Sequence, residues 1–297
     1  MKNALRMQFK RLFDSKLFFF SLTAIMLLSF FMIGNIILNF RGDIVEQHLP
    51  AWAYWGFFGF ATISGNNTSF TGNTEDFSIQ IQMFQMFLLP FFACLPFTST
   101  FYDDRKNNTL HAVLTKCGRR RYYSSAAIVI FVSAFIIVIL PYGLEQVVLC
   151  ILCQGAPQQN AMMGPVQDGY QDWISGWNVQ AWLMPLKVNH PYLYNILYMC
   201  VPAVTGAAFA EFNFALSLYF HRNRFLVLTL PAAILWVCFN FVCDLVLNPA
   251  GIPIFQWNLA MLPEMPLSDI GIRVLLLLFV AAVLIEIRVR LRRDVLA

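Results

Sequence analysis

Apolar stretches long enough to cross a membrane alternate with short basic clusters along this chain, and that alternation limits its fold more than any other feature. Seventeen of its 20 Lys and Arg residues fall in residues 1–16, 102–123, 221–224 and 288–297. Between them lie apolar runs at about 17–40, 79–101, 124–153, 192–220, 225–247 and 270–287. Each approaches or exceeds the roughly 20 residues needed to cross a hydrocarbon core of about 30 Å. Lipid offers no partner to a backbone N–H or C=O, so spanning segments must be helices or closed barrel strands. The runs are too long and too uniformly apolar for barrel strands, which alternate with period two. Basic residues beside spans stay on the cytoplasmic side. The pattern therefore predicts an all-α integral membrane protein with six transmembrane helices and both termini cytoplasmic.

Composition agrees with this. Charged residues make up only 12% of the chain against 59% apolar, and Phe alone occurs 30 times. A soluble domain carries about 25% charged residues. The whole chain, 1–297, reads as a single transmembrane domain, because no outer segment is large enough to form a second one. The outer segments 41–78, 154–191 and 248–269 are rich in Trp and Tyr, among them Trp52, Trp55, Trp173, Trp177 and Trp257. Such amphipathic rings favour the headgroup level, so these loops are expected to fold back onto the outer surface. Pro90, Pro96, Pro141, Pro202 and Pro231 fall inside the runs and mark expected kinks. The cysteines lie in spans or in the inner loop, which gives no disulfide framework.

In residues 1–16, Leu5, Met7, Phe9, Leu12 and Phe13 interleave with Lys2, Arg6, Lys10 and Arg11. That mixture suits a helix lying in the cytoplasmic interface with its basic side toward anionic lipid headgroups. A second short helix is expected in the inner loop 102–123. There Asn108 or Thr109 can act as N-cap, Leu110, Val113 and Leu114 follow at helical spacing, and Gly118 can end the helix. A helix this short is marginal alone, so its apolar stripe must pack on something.

The inner loop resembles that of the permease subunit of type-2 ATP-binding-cassette exporters. In that family it reads approximately Glu-Arg/Lys-x-x-Gly-Thr-Leu-x-x-Leu-Leu-x-x-Pro-x-Ser-Arg. Asp104 matches the acid and Arg105 the base; Thr109, Leu110, Val113 and Leu114 follow, and Arg119 opens the basic end. Asn108 stands where the family has Gly, and Cys117-Gly118 replaces the Pro-containing turn. The resemblance extends along the chain to the N-terminal interfacial helix, the six spans, the short link 221–224 and a broken element within 248–269. It implies that residues 109–116 form the coupling helix, which seats in a groove of a separate ATPase subunit. It also implies a second permease chain, in a homo- or heterodimer, and placement in a bacterial plasma membrane. The implied cargo is hydrophobic or amphipathic, with a peptide as the leading candidate.

The chain carries no G-x-x-x-x-G-K-[ST] loop, so ATP is expected on the partner and no cofactor on this chain. Its four His residues lie in loops or at span edges, and no H-E-x-x-H or G-x-S-x-G motif occurs. No catalytic or metal site is therefore expected, and nothing points to nucleic acid. Glu145, Glu211, Asp244 and Arg273 lie within spans, where ionisable groups usually face protein interior or water. Glu145, Asp244 and Arg273 sit toward the outer ends of their spans and are candidates for one paired cluster. The competing reading is a membrane scaffold, or an immunity or sensing protein, that moves no cargo.

Overall fold

A computed structural model of the chain describes residues 2–47, 88–89, 91–96, 100–152, 190–219 and 267–291. Among these residues all regular structure is helical. The helices are α1 (Lys2–Phe13), α2 (Lys16–Gln47), α3 (Thr100–Lys106), α4 (Leu110–Cys117), α5 (Arg119–Leu152), α6 (Pro191–Ser217) and α7 (Leu267–Leu291). Residues 88–89 and 91–94 are also helical. The expected span 225–247, the link 221–224 and most of the three outer segments lie outside the described residues.

The stretches 119–148 and 195–217 are each long and apolar enough to cross a membrane. The bent pair Asn3–Phe13 and Lys16–Phe31, which meet at 58°, makes a third if counted as one span. The side chains are arranged for an apolar solvent. Large apolar residues face outward on every long helix: Phe20 is 60% exposed, Ile151 71% and Leu275 66%. Ser21, Ser29, Ser133, Glu145 and Asn213 are buried. Water would leave such a surface unsatisfied, whereas acyl chains solvate it at no loss.

Helix α5 is the centre of the bundle and packs against α1, α2, α4, α6 and α7. It starts at Arg119, five positions before the expected span start at Ser124. The apolar run marks where hydrocarbon begins. The helix itself starts earlier because Tyr122 and Tyr123 are buried against the bundle end. Pro141 and Pro202 lie within α5 and α6, which remain helical on both sides. The run 79–101, by contrast, is not one continuous helix. Its helical turn ends after Cys94, residues 95–96 form a turn, and α3 begins at Thr100. Pro96 accounts for the break: it offers no N–H, and its ring drives the preceding residue out of the helical region.

Two pairs of contacts fix the helix directions. Asn195 on α6 meets Gln146 on α5 at 3.5 Å, and Gly206 approaches Val138, so α5 and α6 are antiparallel. Ala208 and Phe209 pack with Val274 and Leu277, while the Tyr219 hydroxyl donates to the Leu284 carbonyl at 2.7 Å. Helices α6 and α7 therefore run parallel. Close approach of α6 rests on small residues. Ala203, Ala207 and Ala210 are buried, and a methyl at Gly206 would lie 3.3 Å from both Leu89 and Val138. The small residues at 206–208, which permit close helix approach, are all buried.

Candidate functional site: the α3–α4 hairpin and its acidic hub

The N-terminus of α5, the C-termini of α6 and α7, and all of α1, α3 and α4 gather at one end of the bundle. Exposed cations crowd there: Arg6, Lys10, Lys16, Lys106, Lys116, Arg120, Arg121 and Arg290. At the other end Glu145 and Gln146 lie near the entry to α6.

The connection from α3 to α4 turns at Asn108, and Gly118 turns the chain again between α4 and α5; both residues have positive φ. Asn108 has φ +55°, a conformation that Gly adopts freely and that Asn tolerates best among residues with a Cβ. The sequence departure at this position thus keeps the backbone path that Gly would allow. Gly118 has φ +76°, and its N–H donates to the Leu114 carbonyl at 2.9 Å, closing α4 as expected. Thr109 occupies the N-cap position, but its hydroxyl does not cap the helix. It turns back to Asp104 instead, 3.2 Å from both the carbonyl oxygen and Oδ1.

Asp104 is the hub of this end. Arg11 Nη1 on α1 donates to its Oδ2 at 2.8 Å, and the Tyr122 hydroxyl on α5 donates to the same oxygen at 2.6 Å. With Thr109 on Oδ1, one buried carboxylate ties together α1, α3, the start of α4 and the start of α5. Bonds of this kind to a charged acceptor are short and about twice as strong as neutral ones. Sequence reasoning selected Asp104 but not Arg11 or Tyr122. The first lies 93 residues away along the chain and the second 18.

The apolar stripe of α4 turns inward. Leu110 and Leu114 are buried, 6% and 7% exposed, in the main core, and Val113 packs against it. The stripe was expected to seat in a partner subunit; it seats in this chain. The outward face of α4 carries His111, Ala112, Thr115 and Lys116. Arg105 and Arg119 are half-buried on either side of the hairpin.

A second cation serves as a wedge between helices. Arg288 on α7 is 8% exposed, and its guanidinium lies 5.9 Å from the Phe101 ring centroid and 5.8 Å from that of Tyr219. Cation–ring contacts strengthen when desolvated, so Arg288 fastens α7 to α3 and α6. Beside it Glu286 accepts from Arg290 at 3.1 Å and lies 4.0 Å from Arg120. Both pairs are well exposed and contribute little.

Of the intramembrane candidates, Glu145 is fully buried on α5 and Glu211 half-buried on α6. Asp244 and the Arg273 side chain lie outside the described residues, so the expected Glu145–Asp244–Arg273 cluster does too. Among the described residues no three His, Cys, Asp or Glu side chains come together to hold a metal ion. No protein-family model matches this chain, and no curated protein or solved structure matches it either.

Proposed function

We propose that this chain is the membrane permease subunit of a type-2 ATP-binding-cassette exporter, with α4 as the element that receives force from a separate ATPase. The observation that carries this reading is the mechanical arrangement of α4. It is a short helix fixed to the end of the 34-residue α5 by Gly118, by its buried stripe and by the Asp104 hub. A push on its outer face passes directly into α5, the helix that touches most of the bundle. Rigid-body rocking of α5 against neighbouring spans is a recognised route to alternating access.

Six spans with both ends cytoplasmic remain part of the proposal. The gathering of exposed cations at one end supports it, since the positive-inside rule assigns that end to the cytoplasm. The parallel run of α6 and α7 supports an odd number of crossings between them, as span 225–247 would provide. The 58° bend supports α1 lying along the interface, with Arg6 and Lys10 toward anionic lipid. On this reading the chain pairs with a second permease chain in a plasma membrane, binds no nucleotide itself, and passes a hydrophobic or amphipathic cargo, such as a peptide, outward. The coupling set keeps Asp104, Arg105, Thr109, Leu110, Val113, Leu114 and Arg119, with roles divided. The buried members position α4, and the seat itself is its outward face.

A photo-crosslinking residue at Ala112, on that outer face, should capture a subunit bearing a phosphate-binding loop. The same probe at Leu140, mid-helix and facing outward, should not. Capture from neither position, in cells where the chain is inserted and folded, would count against the exporter and favour a scaffold or an immunity or sensing protein.

A further inference from the structure

The α1 helix lays Ala4, Gln8 and Leu12 against the bundle end at i, i+4 spacing, with Leu5 and Phe9 alongside. Apolar residues suit four of those positions. Gln8 does not suit the fifth. It is fully buried, and neither its Nε2 nor its Oε1 finds a hydrogen-bond partner in the protein. A carboxamide in that state pays for desolvation on both its donor and acceptor sides, whereas an apolar residue of similar volume would not. One turn on, Arg11 holds the same helix down through its 2.8 Å bond to Asp104. At the bend between α1 and α2, the Ser15 hydroxyl donates to the Pro96 carbonyl at 3.3 Å and pins the pivot.

We propose that α1 is a strap that swings about residues 14–15, closed by the Arg11–Asp104 clamp and biased to open by Gln8. In the closed position Gln8 is orphaned; lifted away, its amide regains water or headgroup partners. The penalty exists only in the closed state, so it shifts the population toward release. Release also removes one donor from the carboxylate that orients Thr109 and the start of α4. Strap position and α4 position are therefore linked through Asp104. This inference needs no ATPase and stands apart from the exporter reading.

Hydrogen exchange on the full chain in lipid nanodiscs tests it. Gln8→Met, which keeps the length of the side chain and removes the amide, should slow exchange across residues 2–13 by about ten- to a hundredfold. Residues 16–31 should be unchanged. Arg11→Met should speed exchange over the same α1 amides. Gln8→Leu provides a second shape in case Met packs poorly. Unchanged or faster α1 exchange in both Gln8 variants would overturn the proposal. Slowing spread evenly over α1 and α2 would overturn it as well, because the amide would then weaken the whole fold and not a strap.

Discussion

Asp104 accepts from Arg11, Thr109 and Tyr122, three residues on different elements, so its removal should harm the fold more than loss of any one donor. Asp104→Ala leaves a buried phenol and a partly buried guanidinium without their acceptor. The expected loss is about 2–3 kcal/mol, reduced from the full buried-pair figure because Arg11 retains some access to water. Tyr122→Phe removes a single bond and should lose about 1–2 kcal/mol. Thermal unfolding of the purified variants in one detergent ranks them, and equal losses would contradict the hub. Arg11→Met combined with Asp104→Ala should fall short of additivity, since the two groups share one contact. The carboxylate was visible in the sequence as the acid opening the inner loop. Its purpose was not, because the donors from Arg11 and Tyr122 are brought to it by folding. A single chain's spacing carries no record of a contact across 93 residues.

At the scale of elements, periodicity groups residues onto faces but does not say which surface each face meets. Leu110, Val113 and Leu114 were legible as one stripe, and they are one. The stripe needed an apolar surface to cover it, and the turn at Asn108 folds it into the chain's own core. The position Pro96 was flagged as a kink, and the chain leaves the helix there, with residues 95–96 in a turn. Helix α6 packs closely through its small residues. At Gly206 a methyl needs Leu89 and Val138 to give by only a few tenths of an ångström, so Gly206→Ala should be nearly neutral. Gly206→Leu overfills the α5–α6 seam and should lose about 1–3 kcal/mol. Leu193, exposed on the same helix, is the control, and Leu193→Ala should change little. A stable Gly206→Leu variant would mean that the seam is looser than this packing implies.

For the whole molecule, the basic clusters were the strongest signal in the sequence, and folding brings their described members to one end of the bundle. That end carries the strap α1, the hub Asp104, the wedge Arg288 and the outward face of α4. The opposite end is quieter in the described residues, with Glu145 buried on α5 and Asn195 joined to Gln146. Apolar patterning made the helical membrane architecture legible, because solvation by lipid demands long uninterrupted runs. It does not tell a face that meets lipid from one that meets an amphipathic molecule, because the two have the same composition.

The central claim is that α4 delivers force from a separate ATPase, and gentle extraction of the tagged full-length chain from its native membrane tests it most directly. Mass spectrometry of the co-purifying proteins should find a subunit with a phosphate-binding loop, at a stable ratio to this chain, that is lost on adding Lys116→Glu and Ala112→Arg together. Recovery of the folded chain alone, repeatedly and under mild conditions, would contradict the claim.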